Sequence, residues 1–350
     1  MEFFGLTKIP VYALDLSDQS FKFLRLIGSG REVVVGSFGE GAIDKGVLES
    51  GEIKDKNRLS VILKDIFSKN QIKFVALSLP EEKGFLREIR ISGVSEGELF
   101  SALEFQIEEH IPLKAKDIYF DHVVIGKGAD YFDLVVNAFP KDIVDSYLDT
   151  ISSSGALPVL VESELESAAR AVVPKGFAKS VMVVDWGKTR ASFSIFEKEV
   201  LKFASTVLVG GERLDYSISK NLGIGKNEAL KIKFEMDISD SKSPGGVLNA
   251  VISVVSELAL EIRKILDYWG ERGETKNNIE QIFLSGGDSN LFGLPEYLER
   301  ELGIPVSLAN PWINVNFPPK YLPEIKFKDS LRFSSAIGLG LKAMNKEKVI

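Results

Sequence analysis

Two stretches of the chain share one rhythm of apolar and polar positions. Val11-Tyr-Ala-Leu-Asp15-Leu-Ser17 leads into Phe21-Lys-Phe23-Leu-Arg-Leu26. Val181-Met-Val-Val-Asp185-Trp-Gly187 leads into Ala191-Ser-Phe193-Ser-Ile-Phe196, at an offset of 170 residues. In each, an apolar run closes on an aspartate, breaks for a short polar turn and resumes, which predicts a strand, a turn and a second strand. A third strand is predicted after the plain hairpin turn Gly28-Ser-Gly30 and after Glu197-Lys-Glu199. Each half therefore opens as a β-meander, and Asp15 aligns with Asp185 without a gap. Repetition at the start of each half points to duplication rather than to two unrelated hairpins.

Between the meanders, strands are predicted over residues 74–79, ended by Pro80, and 85–91. A helix follows, because Leu99, Phe100, Leu103, Ile107 and Ile111 recur at three- and four-residue steps while glutamates take the other positions. Strands around 119–125 and 131–138 precede a helix over 141–152 that Gly155 closes. This block reads as a small inserted α/β subdomain, residues 72–140. In the second half a long helix is predicted from about 247 to 269, with residues 239–246 as the loop before it and a last helix over 334–345. The division expected is an N-terminal lobe of residues 1–165 and a C-terminal lobe of 166–350, the last helix returning to the first lobe.

At 350 residues the chain is long enough for two cores. A net charge of −7 and a pI near 5.3 argue against phosphate-backbone binding, so no nucleic-acid partner is expected. The absence of cysteine excludes disulfides and thiolate chemistry. Residues 1–15 hold one lysine and no apolar run of signal length, and nowhere does an apolar stretch approach the ~20 residues needed to cross a bilayer. A cytoplasmic protein is expected, with membrane contact only through partners.

The chemistry expected is that of an anion pocket. Turns poor in bulky side chains, such as Asp15-Leu-Ser17 and Asp185-Trp-Gly187, expose backbone N–H groups to phosphate. The two aspartates would face one another across an interlobe cleft and hold Mg²⁺ through its waters. Either alone is more often a turn residue satisfying local backbone. Gly210-Gly211-Glu212 and Ser285-Gly286-Gly287-Asp288 each lie between a predicted strand and helix. A helix start favours an anion there, and paired glycines admit a flat ring. Glu164 is the candidate to orient a hydrolytic water, against its reading as helix-entry charge. His110 and His122 lack metal-ligand spacing.

The ordered motifs resemble the actin-like (ribonuclease H-like) ATPase superfamily, and within it the PilM family of type IV pilus assembly proteins. The resemblance is carried by Ala102-Leu-Glu104-Phe-Gln-Ile-Glu108-Glu-His-Ile111-Pro112-Leu, Asp117-Ile-Tyr-Phe-Asp121, Glu162-Ser-Glu164 with Ala168-Ala-Arg170-Ala, the two glycine pairs, and Asn310-Pro311-Trp312. It implies a two-lobed α/β fold with duplicated mixed sheets and ATP or ADP with Mg²⁺ as cofactors. Asp15, Ser17, Ser20 and Lys22 would form a first phosphate hairpin, and Asp185, Gly187, Lys188 and Thr189 a second. Gly286 and Gly287 would face the adenosine, with Lys233 beside the base. Ser17 and Asp18 stand where the family has glycine and a small residue, and Asp288 replaces a small residue. An acid at 18 repels phosphate unless it turns away or pairs with Lys22 or Lys188, at about 1 kcal/mol if exposed.

The implied role is a nucleotide-binding scaffold at the inner face of the inner membrane that grips the N-terminal tail of a PilN-like membrane protein. Any ATPase activity would be weak, and self-association is compatible with this role. The alternatives are a phosphotransfer enzyme of the superfamily, for which no substrate base is found, and an FtsA- or MreB-like filament protein. The latter commonly uses an amphipathic end helix, which residues 342–350 do not form.

Overall fold

The computed structural model describes residues 9–29, 31–238, 245–271 and 278–346. The chain divides into two compact units. Unit 1 comprises Met1–Ala171, Asn314–Glu324 and Ser335–Ile350; unit 2 comprises Val172–Ile313 and Ile325–Ser334. The division falls after Ala171 rather than at 165/166, and the last helix, from Ser335, is counted with unit 1. Helix-forming residues up to Ala171 stay with unit 1, and two later segments return to it.

Unit 1 opens with β1 (Val11–Ser17), β2 (Ser20–Ser29) and β3 (Glu32–Ala42), a meander of antiparallel strands. A two-residue ribbon, β4 (Leu48–Glu49) and β5 (Glu52–Ile53), leads to helix α1 (Lys56–Asn70). The side chain of Asp55 caps α1 by accepting from the N–H of Arg58, and Gln71 ends it in the left-handed conformation at φ 54°. Leu59, Leu63 and Phe67, four residues apart, are its buried stripe. Strand β6 (Phe74–Leu79) then pairs in parallel with β1.

The small subdomain consists of β7 (Phe85–Ser92), α2 (Leu99–His110), β8 (Ile118–Lys127) and β9 (Tyr131–Pro140), its sheet ordered β7-β9-β8. It starts at Phe85 rather than near residue 72, because β6 belongs to the main sheet. Leu99, Leu103, Ile107 and Ile111 of the predicted stripe pack on Ile89, Ile91, Leu134 and Val136. Phe100 does not join them. It is about half exposed and stacks on Phe120 at 5.1 Å.

Helix α3 (Lys141–Ser153), strand β10 (Leu157–Ser163) and helix α4 (Glu164–Val172) follow. Strand β10 pairs in parallel with β6, so the main sheet runs β3-β2-β1-β6-β10. Tyr12, Leu14, Leu16, Phe21 and Phe23 join α1 and α3 in one core, burying side chains worth about 2 kcal/mol each.

Unit 2 repeats this plan. Strands β11 (Val181–Trp186), β12 (Ala191–Glu197) and β13 (Val200–Val207) form the meander; helices α5 (Gly211–Leu222), α6 (Lys226–Glu235) and α7 (Gly245–Gly270) follow. Strand β14 (Gln281–Ser285), helix α8 (Leu294–Leu302) and strand β15 (Val306–Leu308) complete a sheet ordered β13-β12-β11-β14-β15, with β14 parallel to β11 and to β15. Both five-stranded sheets thus have chain order 3-2-1-4-5, which bears out the duplication. Of the loop expected at 239–246, residues 239–244 lie outside the described residues, and Gly245 already begins α7.

Helix α9 (Phe327–Ser330) precedes α10 (Ser334–Lys346), which is counted with unit 1 from Ser335 onward. A Cβ added at Gly338 would lie 1.7 Å from the carbonyl oxygen of Ser167, so only glycine lets α10 meet α4 at this distance. The returning segment also covers the free edge of β3. The N–H of Val33 donates to the Asn316 carbonyl at 2.8 Å, and the Val35 N–H to the Tyr321 hydroxyl at 3.1 Å. Among the described residues no helix is long and apolar enough to cross a membrane.

Candidate functional site

In unit 1 the first hairpin places Asp15 directly opposite Lys22 and Ser17 opposite Ser20. Asp15 is buried and both its oxygens are engaged. Ser78 Oγ of β6 donates to Oδ1 at 3.0 Å, and Lys22 Nζ lies 3.5 Å from Oδ2. Lys22 also donates to Ser20 Oγ at 3.2 Å, and Ser17 Oγ to the Ser20 carbonyl at 2.9 Å. The hairpin is therefore charge-balanced within itself, and as a Mg²⁺ ligand Asp15 would have to release Lys22. Asp18 turns away from this cluster. Its Oδ1 accepts the Gly51 N–H at 3.3 Å, in the β4–β5 turn.

In unit 2 the turn between β11 and β12 is tight, with the Gly187 N–H donating to the Arg190 carbonyl at 2.9 Å. Helix α5 begins against that turn. Its first amides are already used: Gly211 N–H donates to the Gly187 carbonyl at 3.0 Å and Glu212 N–H to that of Lys188 at 2.8 Å. The helix start expected to attract an anion is thus satisfied by the neighbouring turn, which corrects the reading of these amides as phosphate donors. Gly210 is required for the same approach, since a Cβ there would fall 2.4 Å from the Lys188 carbonyl oxygen. Trp186 locks the arrangement through its Nε1, which donates to the Val209 carbonyl at 2.8 Å. What the turn leaves open to solvent is the Lys188 side chain, with Thr189 half-buried beside it.

Ser285 and Gly286 continue β14 at the carboxyl end of the sheet. Ser285 Oγ donates to Ser334 Oγ at 2.8 Å, and the Gly286 N–H to the Leu331 carbonyl at 3.1 Å. Gly286 has φ +87°, and a Cβ on it would meet Asp185 Oδ1 at 2.5 Å. Asp185 is half-buried, one residue before the end of β11. Among the described residues there is no cluster of three or more His, Asp and Glu side chains suited to a metal.

Lys233, on α6, is buried. Its Nζ is 2.6 Å from Asp215 Oδ1 on α5 and 2.6 Å from Asp288 Oδ1 after β14, and all three side chains are buried. The Asp288 carboxylate also fills the space over Gly211, where a Cβ would lie 2.0 Å from its Cγ. Burial pushes the Asp288 carboxyl above its ordinary range, against the pull of Lys233. Glu212 pairs at the surface with Lys226 at 3.3 Å.

Glu164 is bonded into the frame. Its Oε1 accepts the Glu81 N–H at 3.3 Å, in the helical turn that joins β6 to the small subdomain. This geometry supports the helix-entry reading of Glu164 rather than water activation. The glutamates around it, which the sequence did not single out for chemistry, are the more unusual. Ser163 Oγ donates to Glu81, whose carboxyl is pushed up to about 7 by burial. Burial also works against the charge of Glu162, yet Arg170 and Lys342, at 2.5 Å each, hold its carboxyl below the usual range. Glu166 is raised by burial and then by the charge of Glu162.

In the small subdomain, β8 is an edge strand that, among the described residues, pairs only with β9. It exposes Tyr119, Val123 and Val124, and α2 exposes Phe105. These apolar groups form no part of the subdomain's core.

A family model described as type IV pilus assembly protein PilM matches residues 13–344. A solved structure titled "PilM-PilN type IV pilus biogenesis complex" aligns with a TM-score of 0.79 at 19% identity, covering 96% of this chain and 99% of that one. MreB5 of Spiroplasma citri bound to ADP aligns at 0.59 and 15% identity over 97% and 98%. The ethanolamine utilization protein EutJ from Carboxydothermus hydrogenoformans aligns at 0.56 and 14% over 94% and 88%. Two sheets of order 3-2-1-4-5, the small subdomain inserted after β6 and these likenesses agree on an actin-like fold, and the family match across nearly the whole chain identifies this protein as a member of the PilM family of type IV pilus assembly proteins.

Proposed function

We propose that this protein is a scaffold of a type IV pilus inner-membrane assembly complex and binds the N-terminal tail of a PilN-like membrane protein. The family match over residues 13–344 carries this reading, with the likeness to a PilM-PilN complex as its support. The tail docks along the edge of β8, where Tyr119, Val123 and Val124 offer apolar contacts and the unpaired strand edge offers main-chain bonds that set register. Through that tail the protein sits at the cytoplasmic face of the inner membrane.

A second component of the proposal is an adenine nucleotide on unit 2. Lys188 and Thr189 would meet its phosphates, Asp185 its Mg²⁺, and Gly286, Gly287 and Lys233 its nucleoside. The nucleotide supplies charge and bulk that brace these turns. Hydrolysis is not favoured, since Glu164 is committed to the Glu81 amide.

The test is fluorescence anisotropy of a synthetic peptide matching a PilN-like tail from the same genome. Saturable binding is expected, weakened about tenfold or more by Val123→Asp, which places a charge in an apolar contact. Absence of binding to the wild-type chain would refute the scaffold reading. Equal affinity for the variant would refute only the β8 docking edge.

A further inference from the structure

Tail capture leaves one buried cluster of unit 2 unused: Lys233 with Asp215 and Asp288. Its charges do not balance. One ammonium faces two carboxylates, each at 2.6 Å, and Asp215 meets it as an ion pair without a directional hydrogen bond. A single partner would neutralise Lys233, so the second carboxylate raises the cost of burying the cluster.

The two carboxylates are not equivalent. Asp215 is 1% exposed, in the body of α5, whereas Asp288 is 7% exposed and stands on the glycine turn after β14. Lys188, from the exposed turn, also acts on Asp288. That turn lies at the carboxyl ends of β11 and β14, where the chain order of the sheet reverses. Ligands of open α/β sheets settle at such a position. Asp288 therefore stands on the outer side of the cluster, lying over Gly211 and paired with Lys233.

We propose that Asp288 is an exchangeable internal partner of Lys233: it pairs with Lys233 and covers Gly211 until an acceptor group of an adenine nucleotide replaces it on Lys233. Asp215 keeps the ammonium paired throughout, so the exchange never strands a buried cation. The inference rests on the nucleotide reading above and adds its control. Apparent affinity is lowered by the fraction of molecules in which Asp288 still holds Lys233.

Equilibrium dialysis of the full chain with ATP and Mg²⁺, alongside thermal unfolding without nucleotide, tests this. Asp288→Ser removes that partner, and Asp288→Asn keeps its size while removing its charge. The dissociation constant is expected to fall about tenfold or more in the serine variant and less in the asparagine variant. The unfolding midpoint of the serine variant should drop without ATP and recover with it. If wild type and both variants bind within about twofold of one another, the exchange is overturned and nucleotide binding stands. If none of the three binds ATP, both are overturned. A poorly folded serine variant leaves the asparagine variant and its dissociation constant to decide.

Discussion

Glu81 links proton binding to the junction between the main sheet and the small subdomain. Its carboxyl titrates near 7 in the folded chain against 4.5 as its ordinary value. Between those values the native state holds a proton that the unfolded state has lost, so stability falls as pH rises from about 4.5 to about 7 and is level above. The full swing is about 3 kcal/mol. Glu81→Gln should flatten that part of the stability curve and stabilise the chain at pH 8 by a similar amount, because Ser163 can still donate to the amide oxygen. Urea unfolding of both forms from pH 5 to pH 8 measures it, and parallel curves would remove Glu81 as the cause. At this scale the sequence was partly legible. Asp15 and Asp185 stand out because each closes a run of apolar strand residues. Partners that come from distant segments do not: Lys233 meets carboxylates supplied by α5 and by the turn after β14, and Asp18 finds its donor in Gly51. No local pattern encodes such pairings.

Among the elements, α4 and α10 depend on one another most closely. Gly338 is the point of contact, and Arg170 and Lys342 converge on buried Glu162 nearby. Gly338→Ala forces a methyl group into the Ser167 carbonyl, a backbone atom that has nowhere to move, and should cost about 3 kcal/mol or more. Gly340→Ala meets side chains rather than backbone, Leu26 Cγ at 3.2 Å and Ala13 Cβ at 3.9 Å, and should cost within about 1 kcal/mol. Denaturant midpoints of the two variants give the comparison; equal losses would contradict the assignment of Gly338 as the close contact. Helices with a strong period, α2, α3 and α7, were readable from spacing. Helix α1 is not among them: it buries only Leu59, Leu63 and Phe67 along its fifteen residues. The exposed Phe100 misled for the opposite reason: it follows the helical period of α2 but lies on its outer side, where Phe120 receives it.

Across the whole molecule, the same sheet is built twice from segments that differ in how they are closed. Each sheet is made of contiguous chain, and unit 2 adds to Val172–Ile313 the short segment Ile325–Ser334. Unit 1 borrows Asn314–Glu324 and Ser335–Ile350, which the duplication does not foretell because the echo is confined to the meanders. A chain cut after Ile313 lacks both the strap on β3 and helix α10. Its Val33 amide should lose at least tenfold of its protection from hydrogen exchange, about the least that loss of a 2.8 Å backbone bond implies. Retained protection there would mean that β3 is held by something other than the strap.

The bond from Ser335 to the Glu164 carbonyl joins residues 171 positions apart. During synthesis the ribosome must therefore release the β3 strap and α10 before the edge of β3 and the outer side of α4 in the earlier-made unit can be covered. Until then, Ala13, Leu26 and the Gly338 seat on α4 wait uncovered. A pause in translation beyond residue 313 would prolong that interval and favour capture by chaperones, although the segment being delayed contributes no strand to either sheet.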